Sequence, residues 1–210
     1  MRSHSSTISA ASSQTAKSRR CGAASKIVHT TSDDLEAGCF DAATESLVAA
    51  RLIRGARMQG AEDVRVMVAN PLDRTGPFGR RRIPRLRNPK KSQFFGRGSW
   101  ERYRAEATRT YGFRRGRFEP DWSEADAKLF DLTVRRFAPG RTIEELLREL
   151  GSSFVGNGIG VTAIEPPILS TDDNITTLQP GMCLSVRLTL PSSVVRGETI
   201  VIVTQNASCL

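Results

Sequence analysis

The chain changes its hydrophobic rhythm at Gly151, and that switch limits the folds open to it. Before it, apolar residues recur at three- and four-residue steps: Leu35, Phe40, Ala43, Leu47, Ala50 and Ile53 in one stretch, Leu129, Phe130, Val134 and Phe137 in another. That spacing lines one side of a helix. Asp33-Asp34 is positioned to cap the first helix and Gly60 to close it, while Ser123 opens the second and Pro139-Gly140 stops it. Thr142-Ile143-Glu144-Glu145 is a capping box for a short third helix through Leu146, Leu147 and Leu150. Val64, Val66 and Val68 alternate with Arg65, Met67 and Ala69 as in a strand, which Asn70-Pro71 ends. A second strand is predicted over about 100–113, with Tyr103, Ala105, Ala107 and Arg109 on one face and Arg104, Glu106, Thr108 and Thr110 on the other. Beyond Gly151, residues 154–204 mix Gly, Pro and β-branched side chains, predicting strands near 159–164, 182–190 and 199–204. Helices followed by a Gly- and Pro-punctuated sheet make an α+β domain.

Residues 1–32 are rich in Ser, Thr and Ala and contain no acidic residue, while Arg2, Lys17, Arg19, Arg20 and Lys26 make them basic. No amphipathic helix emerges from them, and the composition predicts a disordered tail before one domain over 33–210. An organellar transit peptide has the same composition, so that alternative to a plain cytoplasmic protein stays open. The net charge of +9 is concentrated: residues 74–118 hold fifteen Arg or Lys against Glu101 and Glu106. Its densest part, a predicted loop over about 74–92, carries Arg80, Arg81, Arg82, Arg85, Arg87, Lys90 and Lys91. Such a run can neutralise phosphates of nucleic acid or meet an acidic protein, or be a solvated loop. It has no interleaved aromatics on which bases would stack.

No apolar run reaches the roughly 20 residues of a membrane-spanning helix, so no membrane partner is expected. The four cysteines are scattered without a Cys-x-x-Cys, which fits inert thiols in a reducing compartment. The two histidines, His4 and His29, both fall in the predicted tail, leaving the domain without imidazole and so without histidine-assisted proton transfer or metal ligation.

Three segments of the C-terminal half occur in a telling order. They are Gly156-Asn157-Gly158-Ile159-Gly160 with Glu165-Pro166-Pro167, then Leu178-Gln179-Pro180-Gly181-Met182, then Val195-Arg196-Gly197-Glu198-Thr199 leading into 200–204. Upstream stand Ala61-Glu62-Asp63 and the strand Tyr103-Arg104-Ala105-Glu106-Ala107-Thr108-Arg109-Thr110-Tyr111. Over about 34–205 the set resembles the pita-bread metallopeptidases: Xaa-Pro aminopeptidases, methionine aminopeptidases and creatinase. The resemblance implies a curved, mostly antiparallel sheet with helices on its outer face, and leaves a homodimer open.

It also implies two divalent metals held by two Asp, one His and two Glu. Carried onto this chain, those positions are mostly substituted. The first Asp falls near Phe95, Glu106 takes the second, and Asn157 stands for the ligand His. Ile164 replaces the His before Glu-Pro, Arg187 stands where a Glu belongs, and only Glu198 remains. A fixed guanidinium in that pocket repels metal. The expectation is therefore a protein of this family without its metal cofactor, binding an unidentified small molecule or peptide instead of cleaving one, with Arg187, Glu106 and Glu198 pairing with one another. The weak catalytic candidates are Glu106 and Glu198. Alternatives are a metal-independent creatinase-like C–N hydrolase and a basic nucleic-acid or acidic-partner module.

Overall fold

The computed structural model describes residues 4–38, 44–69, 92–169, 176–203 and 207–209, side chains from residue 16 to residue 203. In chain order these form α1 (His4–Ala37), α2 (Glu45–Met58), β1 (Val64–Ala69), β2 (Ser92–Trp100), β3 (Tyr103–Arg114), β4 (Arg117–Pro120), α3 (Glu124–Val134), α4 (Ile143–Leu150), β5 (Phe154–Gly158), β6 (Glu165–Leu169), β7 (Cys183–Thr189), β8 (Val195–Ile202) and β9 (Ala207–Cys209). The strands make one open sheet in the order β1-β2-β3-β8-β7-β5-β6, with β4 on β3 and β9 on β8. Every pairing is antiparallel.

Two apolar cores divide the covered face. Leu35, Val48 and Leu52 of α1 and α2 pack on Val66, Val68, Phe94 and Tyr111, while Phe130, Val134 and Leu146 of α3 and α4 pack on Phe154, Leu184, Val186 and Ile200. The alternation of β7 and β8 follows: Leu184, Val186 and Leu188, and Ile200 and Ile202, turn to the helices, so Ser185, Arg187, Gly197 and Thr199 turn away.

The two halves meet where β3 and β8 touch, and their ladder there is a single register pair, Thr108 with Gly197. On either side of it a threonine hydroxyl replaces the missing ladder bonds. Thr199 Oγ1 accepts from Glu106 N at 2.8 Å and donates to Glu106 O at 3.0 Å, and Thr110 Oγ1 accepts from Val195 N at 2.9 Å and donates to Val195 O at 3.1 Å. The splayed strands therefore leave no buried backbone group wanting at these four positions.

Residues predicted as a disordered tail lie instead in α1, the longest helix described. Cys21, Ala24, Ile27, Val28 and Leu35 are buried, a stripe of mostly small residues at helical spacing. Thr30, Thr31 and Ser32 donate their hydroxyls to the carbonyls of Lys26, Ile27 and Val28, so their polar groups do not oppose burial. Small residues meet small residues across the contact: a Cβ on Gly96 or Gly98 of β2 would lie 3.3 or 3.2 Å from Val28. Close approach of helix to sheet replaces bulky side chains as the source of burial.

Other departures are local. Asp33 and Asp34 lie inside α1, and α2 is capped by Thr44, whose side chain accepts from Leu47 N. Ser123 opens α3 and the Thr142 capping box forms as the sequence predicts, Ser123 forms a capping box with Asp126 as well, and Gly151 ends α4 at φ 63°. Residues 159–164 are a bend between β5 and β6, not a strand, held by Thr162 N donating to Glu165 Oε1 at 2.8 Å. Strand β2, absent from the sequence reading, contains Phe95, Gly96 and Arg97. Among the described residues no helix is long and apolar enough to cross a membrane.

Candidate functional site

The β3–β8 junction carries a charged cluster on each face of the sheet. On the covered face, period-two alternation points Arg109 of β3 and Glu198 of β8 under α1, which contributes His29. Arg109 Nη2 lies 2.5 Å from Glu198 Oε1, and its Nη1 donates to the carbonyls of Gly197 at 3.0 Å and Thr108 at 3.1 Å. His29 Nε2 is 3.2 Å from Glu198 Oε2, and Arg196 Nε is 3.5 Å from Oε1. Phe130 and Trp122 lie under the guanidinium groups of Arg196, at 4.3 Å, and Arg109, at 6.0 Å. Burial works to raise the pKa of Glu198, but the hydrogen bond from His29 and the charges of Arg109 and Arg196 outweigh it and hold the carboxyl below its ordinary value.

This corrects two expectations. The domain does contain an imidazole, because His29 is part of α1 rather than of a tail. Glu198 pairs with Arg109, Arg196 and His29, not with Arg187.

The opposite face is laid out by strand register in two rows. One row runs Val155, Arg187, Gly197, Thr108, Phe95 across β5, β7, β8, β3 and β2. Beside it, Asn157, Ser185 and Thr199 are in register across β5, β7 and β8, and Glu106 and Arg97 across β3 and β2. Glu106 is 6% exposed and fully engaged: Ser185 Oγ donates to its Oε2 at 2.8 Å, and the Arg97 guanidinium grips Oε1 through Nε and Nη2. Asn157 gives its amide hydrogens to the carbonyls of Gly158 and Ala163, at 2.6 and 3.0 Å, and so ties β5 to the following bend.

Of the six positions carried over from the resemblance, Phe95, Glu106, Asn157 and Arg187 share this face. Glu198 is on the other, and Ile164 stands out from the bend, 66% exposed. Arg97, Ser185 and His29 are the partners that sequence reasoning missed. Arg97 becomes visible once 92–100 is read as a strand paired with β3, since register puts it opposite Glu106.

These residues do not fit two divalent cations. A metal site of that kind needs several carboxylate or imidazole donors converging on one point. Here one carboxylate is held by a guanidinium and a hydroxyl, the second lies through the sheet against another guanidinium, and Arg187 adds a positive charge on the face of the first. Among the described residues, no three His, Cys, Asp or Glu side chains come together as a metal would need. The basic run Arg80, Arg81, Arg82, Arg85, Arg87, Lys90 and Lys91 lies outside the described residues.

Known structures share this architecture. The chain superposes on a prolidase from Pyrococcus furiosus with a TM-score of 0.69 and 20% identity, covering 92% of this chain and 63% of that one. With a prolidase from Thermococcus sibiricus the TM-score is 0.73 at 20% identity, over 93% of this chain and 58% of that one. A methionine aminopeptidase from Thermotoga maritima gives 0.66 at 12% identity, over 92% of this chain and 96% of that one. The chain thus spans less than two thirds of either prolidase. No protein-family model matches the sequence, and neither does any curated protein. At these identities the likeness shows the fold: an open, antiparallel pita-bread sheet with helices packed on it.

Proposed function

We propose that this chain is a pita-bread domain of the Xaa-Pro aminopeptidase and creatinase type that has lost its dinuclear metal site and binds a ligand without hydrolysing it. The observation that carries this reading is the engagement of Glu106. The one acidic side chain at a former ligand position on the Arg187 face is already neutralised by Arg97 and hydrogen-bonded by Ser185. A cation seeking that carboxylate has to displace a guanidinium that cannot deprotonate. Arg187, two residues along β7 from Ser185, opposes it further. A creatinase-like hydrolase is not favoured, because His29 works on the opposite face from Glu106. For the basic-module alternative, the seven residues of its densest run lie outside the described residues, and Arg97 and Arg109 of the same block are engaged with Glu106 and Glu198.

The test is metal analysis of the purified protein after incubation with Mn2+, Co2+ or Zn2+ and gel filtration, paired with hydrolysis assays on Ala-Pro and Met-Ala dipeptides. The expected result is a substoichiometric metal content and no turnover. About two metals per chain together with hydrolysis would overturn the proposal.

A further inference from the structure

Four arginines crowd the β3–β8 junction, and three have a carboxylate: Arg97 has Glu106, while Arg109 and Arg196 share Glu198. Arg187 is different. Among the described residues no carboxylate or carbonyl pairs with it, and its Nε is buried without a hydrogen-bond partner. The placement is built into the sheet. Gly197 stands opposite Arg187 on β8, and the arginine stem lies across it, its Cγ only 2.4 Å from where a Cβ on residue 197 would be. Any side chain at 197 would evict the arginine. On its other flank Val155 is in register with Arg187, and Ile168 is in register with Asn157 on the same face. These two apolar side chains are 51% and 37% exposed, unlike their neighbours of the covered core.

A guanidinium stays charged at any relevant pH, and one that is half-buried without a partner has lost water without gaining an acceptor. Its Nε is sealed from solvent, whereas its two Nη groups are not, and they can give a planar anion two parallel N–H bonds. The apolar pair beside it specifies what the anion is attached to. We propose that the face of the sheet carrying Arg187 binds a carboxylate borne on a small apolar body, with Arg187 as the anion anchor and Val155 and Ile168 as the apolar contact. This rests on the reading of the face as free of metal, and it names the class of ligand for that reading.

The experiment is calorimetric titration of the whole chain, at low ionic strength, with 4-methylpentanoate, with 4-methylpentanamide, with N-acetyl-Ala-Leu and with inorganic phosphate. Saturable binding of 4-methylpentanoate, no binding of the amide, and at least a tenfold loss in Arg187→Met are expected, with Arg187→Lys in between because it keeps charge but not the fork. N-acetyl-Ala-Leu separates two sources of the same chemistry: tighter binding than 4-methylpentanoate makes a peptide C-terminus the ligand, weaker binding a free acid. Equal binding of the amide, unchanged affinity in Arg187→Met, no saturable binding by wild type, or phosphate binding as tightly as the acid would each overturn the assignment. Arg187→Met loses a cation without a partner, so its thermal midpoint should equal or exceed that of wild type, which keeps a lost fold from passing as a lost site. The two readings fail separately. A metal-loaded, active peptidase sinks the proposed function whatever binds, whereas a metal-free protein that ignores carboxylates sinks only the Arg187 site.

Discussion

Replacing Glu198 by Gln keeps the shape of the side chain and removes its charge. In the wild type this carboxylate is 2% exposed and answers Arg109, itself 8% exposed, together with Arg196 and His29. Removing one partner of a buried ion pair costs roughly 3–5 kcal/mol, because the surviving charge stays buried without compensation. Arg109 keeps its bonds to the carbonyls of Thr108 and Gly197, and Arg196 keeps the face of Phe130, so the low end applies, about 3 kcal/mol. For a chain of this length that is a fall of roughly 6–12 °C in thermal midpoint, measurable by calorimetry or circular dichroism at pH 7. The pH dependence has a definite sign. The folded pKa of Glu198 is depressed, so its contribution is complete above the unfolded value of about 4.3 and is lost as pH falls through the folded value. The gap between wild type and Glu198→Gln should therefore narrow on acidification below about pH 4. The double variant Glu198→Leu, Arg109→Met should recover at least about 1 kcal/mol relative to the sum of its single changes. A loss below about 1 kcal/mol in Glu198→Gln, or strict additivity in the double variant, would refute the cluster as a buried, mutually dependent unit.

A chain lacking residues 1–32 should lose near-ultraviolet dichroism and bind a hydrophobic dye, since Ile159, Cys183 and Val201 pack around Cys21; a truncated protein with the wild-type melting curve would refute that role for α1. Gly98→Val pushes on Val28 across a gap already at 3.2 Å and should cost about 2 kcal/mol in denaturant unfolding, part of it recovered by adding Val28→Ala. The thiol of Cys21 is raised well above the ordinary range by its hydrogen bond with Cys183 and by burial, and both cysteines are shielded. Neither should react with an aromatic disulfide reagent until the protein is denatured, and peptide mapping that finds Cys21 labelled in the native state would contradict this packing.

What the sequence made legible depends on the distance over which its signals act. Capping is local, so Ser123 as a helix start and Thr142 with Glu145 as a capping box could be read directly and form as read. Helix α1 was obscured by its own solution to packing. Cys21, Ala24 and Val28 are small, and Thr31 and Ser32 look polar until their hydroxyls are seen returned to the helix backbone. Strand β2 was hidden for a related reason: Gly96 and Gly98, which admit α1, read as breakers beside an arginine-rich stretch. The split of Glu106 and Glu198 onto opposite faces needed a long-range register that no local pattern supplies. One clue was present, since Glu198 shares its parity with Ile200 and Ile202, whose side chains sit in the core.

The single backbone pair joining β3 to β8 has a mechanical consequence. Two half-sheets linked so sparingly would, left alone, open as independent cooperative units with separate protection against hydrogen exchange. Helix α1 changes that balance by fastening to both: Leu35 and Val28 to the first half, and Cys21 against Cys183, Lys17 against Glu165 and His29 against Glu198 in the second. It works as a splint across a hinge, and the thermodynamic unity of the molecule is held by side chains of one helix as much as by the sheet.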